Sequence, residues 1–260
     1  MKPSHLATDD RIARPLLLIK EDINMPRGKI LAQVGHAISL MVLNLMSGNY
    51  EHRRLSPANT KYMEGWFRNR CPVEVRMVSS ASFDQAVTNY ADHGVTVVED
   101  HGRTVFNGVK TETVAVAPFG FTLPFEHQCV GSGQIVAKDK ERAADELRQV
   151  ILVNTRSKLC LNDLIGYTVL ATVQTIYWHM EHVDGEHHFD LTRSRMGEWL
   201  DGAFAKIALS TKAIEQQKND LLAANIGFEA LEREGECVLI CTQPVAKSLL
   251  EPITSGLRVL

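Results

Sequence analysis

Two rhythms of apolar and polar positions run along the chain. PLLLIKE (15–21) is a short apolar run and predicts a strand. From residue 26 to 47 the apolar positions Ile30, Val34, Ala37, Leu40 and Met41 follow a helical period, which predicts a long helix. A loop and a short helix near Trp66 come next. VEVRMV (73–78) alternates and predicts a strand with one face buried. SFDQAVTNYADHG (82–94) reads as a helix that begins at a Ser cap and ends on a glycine. VTVVED (95–100) and TETVAVAP (111–118) predict two further strands. Strands interleaved with helices indicate an α/β layer fold with a mixed sheet.

The same order returns in the second half. LLLIKEDINMPRGKILAQVGHAISLMVLNLM (16–46) aligns without gaps on VILVNTRSKLCLNDLIGYTVLATVQTIYWHM (150–180), a shift of 134. MEGW (63–66) falls on MGEW (196–199), Gly94 on Gly227, and ETVAVAP on ECVLICTQP. This series predicts a tandem duplication. The expected architecture is α/β, with two tandem three-layer domains, each a small mixed β-sheet with helices on both faces. The domains are expected at 12–136 and 149–260. The charged stretch AKDKERAADELR (137–148) is the connector between them, expected to be helical.

Composition narrows the class. Of 260 residues, 45% are hydrophobic and 23% charged, a globular balance. No apolar run reaches the length of a membrane span, and MKPSHLATDDRIARP has no apolar core, so neither a membrane segment nor a signal peptide is expected. Five scattered cysteines without a CxxC pair suit a reducing cytoplasm. Net charge is -3, yet residues 1–136 hold 14 basic against 13 acidic groups and residues 137–260 hold 14 against 18. Neither half is a broad basic surface, so any nucleic acid must be met at a local site.

Polar differences between the copies are concentrated. Lys29, Gln33 and His36 become Asp163, Tyr167 and Leu170, and Asp100 becomes Arg233. HGRTVFNGVKT (101–111) has almost no counterpart, because the second copy turns through EGE (234–236). Lys29, Gln33 and His36 share one helix face. Lys29 lies in a first helical turn, where the helix dipole disfavours a cation. An anion docked between Lys29 and free N–H groups of the helix start would account for its placement.

DINMPRGKILAQVGHA followed by EDHGRTVFNGVKTETVAVAP resembles the archaeal and eukaryotic type of peptidyl-tRNA hydrolase. That family has a GK opening its first helix, an AQ-x-x-HA continuation and a D-x-G-[RK]-T loop leading to a T-x-T strand. The resemblance covers about residues 15–136, and QPVAKSLLEPITSGLRVL (243–260) resembles the family's tail. It implies hydrolysis of the ester between a peptide and the 3′ end of tRNA, without a cofactor or metal. It also implies a domain that usually works as a homodimer. Here a monomeric chain is expected to form an intramolecular pseudo-dimer, with an active first copy and a degenerate second. Carried over by position, the catalytic set is Lys29, Gln33, His36, Asp100 and Thr104. The substrate-binding set is Arg27, Gly28, Gly102, Arg103, Lys110, Thr111 and Thr113. Three features depart from the family: Pro26 and Arg27 before the GK, His101 for the usual Ala, and a loop VFNGVKT that is one residue longer.

Ester hydrolysis needs an activated water and a stabilised oxyanion. Lys29 offers positive charge, Asp100 can pair with it and orient it, Thr104 can hold water or the carbonyl, and His36 can accept a proton or touch tRNA. Arg27, Arg103 and Lys110 are the nearest candidates for phosphate contacts. Two rival readings use the same residues: a tRNA- or protein-binding module without turnover, and a hydrolase of a different ester or amide. Elsewhere, HMEHVDGEHHFD (179–190) reads as a solvated loop rather than a metal site. Cys237 and Cys241 read as buried thiols on one strand face, and Trp66 and Trp199 as packing residues.

Overall fold

The structure is a computed structural model, and it describes residues 14–48, 52–102, 105–118, 146–184, 186–190, 194–201 and 205–260. The first half contains β1 (Leu16–Lys20), α1 (Arg27–Asn44), β2 (Met46–Gly48), β3 (His52–Leu55), α2 (Pro57–Arg68), β4 (Glu74–Val78), α3 (Ser80–Asn89), β5 (Thr96–Asp100) and β6 (Thr111–Ala117). The second half contains β7 (Leu147–Asn154), α4 (Leu161–Tyr177), β8 (Glu181–Val183), β9 (Glu186–Asp190), α5 (Arg195–Asp201), β10 (Ala205–Thr211), α6 (Ile214–Ala223), β11 (Phe228–Arg233), β12 (Glu236–Thr242), β13 (Val245–Ala246), α7 (Lys247–Thr254) and β14 (Arg258–Val259). The chain is a mixed α/β protein. No helix among the described residues is long and apolar enough to cross a membrane.

The first sheet has the order β4-β1-β6-β5, with β1 parallel to β4 and antiparallel to β6. The second has the order β11-β12-β7-β10-β14, with β7 parallel to β10 and antiparallel to β12. The two patterns agree strand for strand as far as the first extends. Alternation along β1 sends Leu17 and Ile19 into the core with α1, and Leu16 and Leu18 against Phe83 of α3. Helices therefore lie on both faces of the first sheet. In both halves the indole of a buried tryptophan donates to a backbone oxygen six residues on, Trp66 to Pro72 and Trp199 to Ala205, each at 2.8 Å.

The halves are joined by one core. Apolar side chains of α1 and α4 bury one another in a cluster that includes both tryptophans. A third sheet, β2-β3-β9-β8, crosses between the halves through antiparallel pairing of β3 with β9. HMEHVDGEHHFD is thus a hairpin and not a solvated loop. Asp184 has φ 52°, and it follows Val183, whose pairing with Glu186 is the last of the hairpin. His187 is buried there, 2.8 Å from the Tyr177 hydroxyl and 3.4 Å from Glu64. No group of three metal-ligating side chains occurs among the described residues.

Five other expectations change. The first helix stops at Asn44, because Met46–Gly48 turn into the joining sheet. The third helix is capped by Ser79, whose hydroxyl accepts from Ser82 N–H, so it starts before Ser82. β4 has no fully buried face, since it is the edge of its sheet among the described strands and Met77 is exposed. Leu147 and Arg148 lie in β7 and not in a helical connector, whose residues 137–145 fall outside the described residues. Cys237 and Cys241 are buried but face opposite sides of the sheet, because the pairing of β12 with β11 shifts at Leu231/Glu232. Such a bulge inverts the alternation between the two positions.

Candidate active site

The site forms where the start of α1 meets the end of β5. Pro26 precedes the helix and ends the backbone's freedom there, with its fixed φ of -57°. The helical period then brings Lys29, Gln33 and His36 to one side, over β5. Asp100, the last residue of β5, is 7% exposed and receives three donors. Its Oδ2 takes the Lys29 ammonium and the Gln33 amide. Its Oδ1 takes the Gly102 N–H at 2.8 Å. The pair is nearly sealed from water, with the Lys29 side chain 16% exposed. Coulomb attraction is stronger in such surroundings than at a surface.

His36 extends the chain of contacts. Its Nδ1 lies 3.2 Å from Gln33 Oε1. Gln33 Nε2 is committed to Asp100, so Oε1 faces the imidazole and can only accept. Nδ1 therefore carries the proton, and in the neutral ring Nε2 is the basic nitrogen. Four side chains thus form one line: Lys29, Asp100, Gln33 and His36.

Gly102 is required by the turn after β5. Its φ is +72°, and a Cβ there would stand 2.5 Å from Val109 O. The loop closes as Gly108 N–H donates to Gly102 O at 3.0 Å. It lays the Phe106 ring 6.0 Å from Lys29 Nζ, within reach of a cation–π contact. Thr113 is buried at the bulge of β6 on β5, where its hydroxyl donates to Val98 O at 3.2 Å. The matching bulge of the second half, between β12 and β11, holds Val238. Of the two bulges, the hydroxyl is therefore peculiar to that of the first half.

The remaining sequence candidates divide. Gly28 is buried at the helix start, and its N–H donates to Leu260 O at 2.9 Å. That N–H is not open to an anion, contrary to expectation, and Asp100 is what neutralises Lys29. Arg27 is exposed on the first turn. Lys110 points to Glu99 at 3.5 Å, and the Thr111 hydroxyl donates to Val109 O at 3.1 Å. Thr111 is paired with Asp100 across the β5–β6 ladder, but its hydroxyl and the Lys110 ammonium turn to other partners. Thr104 and Arg103 lie outside the described residues.

Two groups escaped the sequence reading. Phe106 occupies the altered loop, and that alteration was the available signal. Trp199 packs as expected but also places its ring 6.5 Å from that of His36, across the junction between the halves. No sequence pattern within one copy could show this.

These features define an α/β protein with a sealed lysine–aspartate pair, extended by an amide and an imidazole, at the head of its first helix. Residues 14–120 match the family model described as Peptidyl-tRNA hydrolase PTH2. No curated protein matches the chain as a relative.

Proposed function

We propose that this chain hydrolyses peptidyl-tRNA, releasing free tRNA and peptide. The observation that carries the reading is the buried Lys29–Asp100–Gln33–His36 line, inside the segment that matches the hydrolase family. Water adds its oxygen to the ester carbonyl, and its proton passes to the departing 3′ oxygen. The oxyanion that develops is held by the remaining N–H bonds of Lys29, which Asp100 orients. The acyl C–O bond then breaks, and the tRNA 3′ hydroxyl leaves with that proton. His36 Nε2 is buried, so the imidazole holds Gln33 and not the water. Thr104 would hold the water or the carbonyl, and Arg27 and Arg103 would meet phosphates. No cofactor enters this scheme. Free thiols at Cys71, Cys160, Cys237 and Cys241 and a role in translation support a cytoplasmic setting.

The second half is a degenerate copy in this reading. The matching strand order and the reversed charges at Asp163 and Arg233 support a duplication in which only the first site was kept. The two halves then form a pseudo-dimer, and a solution mass near 29.0 kDa is expected. A stable dimer of the chain would count against that arrangement.

Phe106 over Lys29 favours a second reading, a domain that binds tRNA without turnover. Release of tRNA from N-acetylaminoacyl-tRNA separates the two. Hydrolysis by the wild type and its loss in Lys29→Ala establish the enzyme. Retained tRNA binding with no release establishes the binding module.

A further inference from the structure

Strand β10 of the second half lies along α1, and two glycines let it approach. Gly28 and Gly35 are two turns apart on the same helix face. A Cβ at Gly28 would stand 2.6 Å from Leu260 O and 3.2 Å from Ala208 O. A Cβ at Gly35 would stand 2.5 Å from Lys206 Nζ. Each glycine immediately precedes a residue of the site, Lys29 and His36. The aligned positions of α4 carry Asn162 and Val169, so the two-glycine face is particular to α1.

The contacts are more than close packing. α1 has no side-chain cap and no acid in its first turn. Its Gly28 N–H is satisfied instead by Leu260 O, at 2.9 Å. That residue is itself fixed, because Leu260 N–H donates to Ala208 O at 3.1 Å. At the second glycine, Lys206 Nζ lies 5.3 Å over the Trp199 ring, the ring that approaches His36. Its ammonium is buried without a hydrogen-bond partner among the described residues.

We propose that the second half is a positioning element for the first half's site. Leu260, Ala208 and Lys206 seat α1 at its two glycines, and so hold Lys29 and His36 in register with Asp100. Lys206 and Leu260 are positioning residues and do not touch the reacting atoms. The kinetic part of this inference rests on the peptidyl-tRNA reading; the seating of α1 does not.

The test uses the full chain and two readouts, backbone hydrogen exchange over residues 27–36 and turnover of N-acetylaminoacyl-tRNA. In Gly28→Ala, exchange in that segment should accelerate by roughly tenfold or more, with α3 and β5 unchanged. Turnover should show kcat reduced about tenfold while KM stays within about twofold, because the groups are displaced and not removed. Gly35→Ala meets only the flexible end of Lys206 and should show a smaller defect in the same segment. Adding Lys206→Ala makes room on the opposite side and should restore protection and kcat. The inference is overturned if folded Gly28→Ala matches the wild type in both readouts, or if the double variant is no better than Gly35→Ala. If Gly28→Ala does not fold, the Gly35 pair alone decides. If the wild type hydrolyses nothing, the peptidyl-tRNA reading falls, and the exchange data still decide whether the second half seats α1.

Discussion

The two halves place an ion pair at the same point of the fold with the signs reversed. In the first, Lys29 of α1 meets Asp100 at the end of β5; in the second, Asp163 of α4 meets Arg233 at the end of β11, at 3.6 Å. The side chains of the first pair are 16% and 8% exposed, and those of the second 45% and 51%. An exposed pair gains little, because water and salt screen it. A sealed pair must replace the water it loses. Asp100 does so with the Gln33 amide and the Gly102 N–H, whereas the second half has Tyr167 in place of Gln33. Packing requires the helix and strand to meet in both halves. Among the described residues, the Gln33 amide and the Gly102 N–H support the charge in the first half alone, as the proposed chemistry requires.

The largest effects should separate the pairs outright. Lys29→Ala and Asp100→Asn should each lower kcat for peptidyl-tRNA by about a hundredfold or more, while Asp163→Asn stays within about twofold of wild type. Asp100→Ala also strands a buried ammonium and should cost about 3 kcal/mol in urea unfolding. Asp163→Ala should cost less than about 1 kcal/mol in the same measurement.

The turns after the two strands give the next contrast. Gly102 and Gly235 both have positive φ, +72° and +83°, but only Gly102 has backbone packed where a Cβ would go. Gly102→Ala should cost about 2–3 kcal/mol and reduce turnover, since it disturbs the N–H that holds Asp100. Gly235→Ala should cost about 1 kcal/mol and leave turnover alone. Thermal melting with a parallel rate assay reads both.

Lys206 offers a pH-dependent test of how the second half meets the first. Burial lowers its pKa from 10.5 to about 8, partly offset by the neighbouring Cys241. The unfolded chain therefore binds more protons between those values, and this group's contribution to stability rises with pH from about 8 upward. Lys206→Met should be more stable than wild type at pH 7, by about 2–4 kcal/mol, and the gap should narrow by pH 9. Buried Cys237 and Cys241, both raised to about 11, act in the opposite direction at higher pH in either protein. The difference between the two melting curves from pH 7 to 9 reports Lys206 together with its interaction with Cys241. The smallest effect expected is that of Phe106→Ala, a loss of about 0.5–1 kcal/mol from the partly exposed ring near Lys29.

Much of this site could be read in the sequence, because helical period places Lys29, Gln33 and His36 together. Comparison with the second copy then marks Asp100 as the group that changes along with them. Apolar runs and alternation pointed to the strands and to a mixed sheet, but not to the order in which the strands pair. What stayed hidden depends on geometry that a single pattern does not encode. A bulge reverses the faces of Cys237 and Cys241. The pairing of β8 with β9 makes a hairpin from residues whose charge suggested a loop. β4 alternates like a half-buried strand but lies at an edge among the described strands. Trp199, Lys206 and Leu260 reach α1 only because the two halves share a core, and their spacing along the chain carries no trace of that contact.

The proposed hydrolysis implies that the sealed pair performs chemistry and its exposed counterpart does not. It is tested most directly by tRNA release from N-acetylaminoacyl-tRNA, with wild type, Asp100→Asn and Asp163→Asn measured side by side. The expected result is hydrolysis by wild type and Asp163→Asn and its loss in Asp100→Asn. Equal rates for all three, or no release by the wild type, would contradict it.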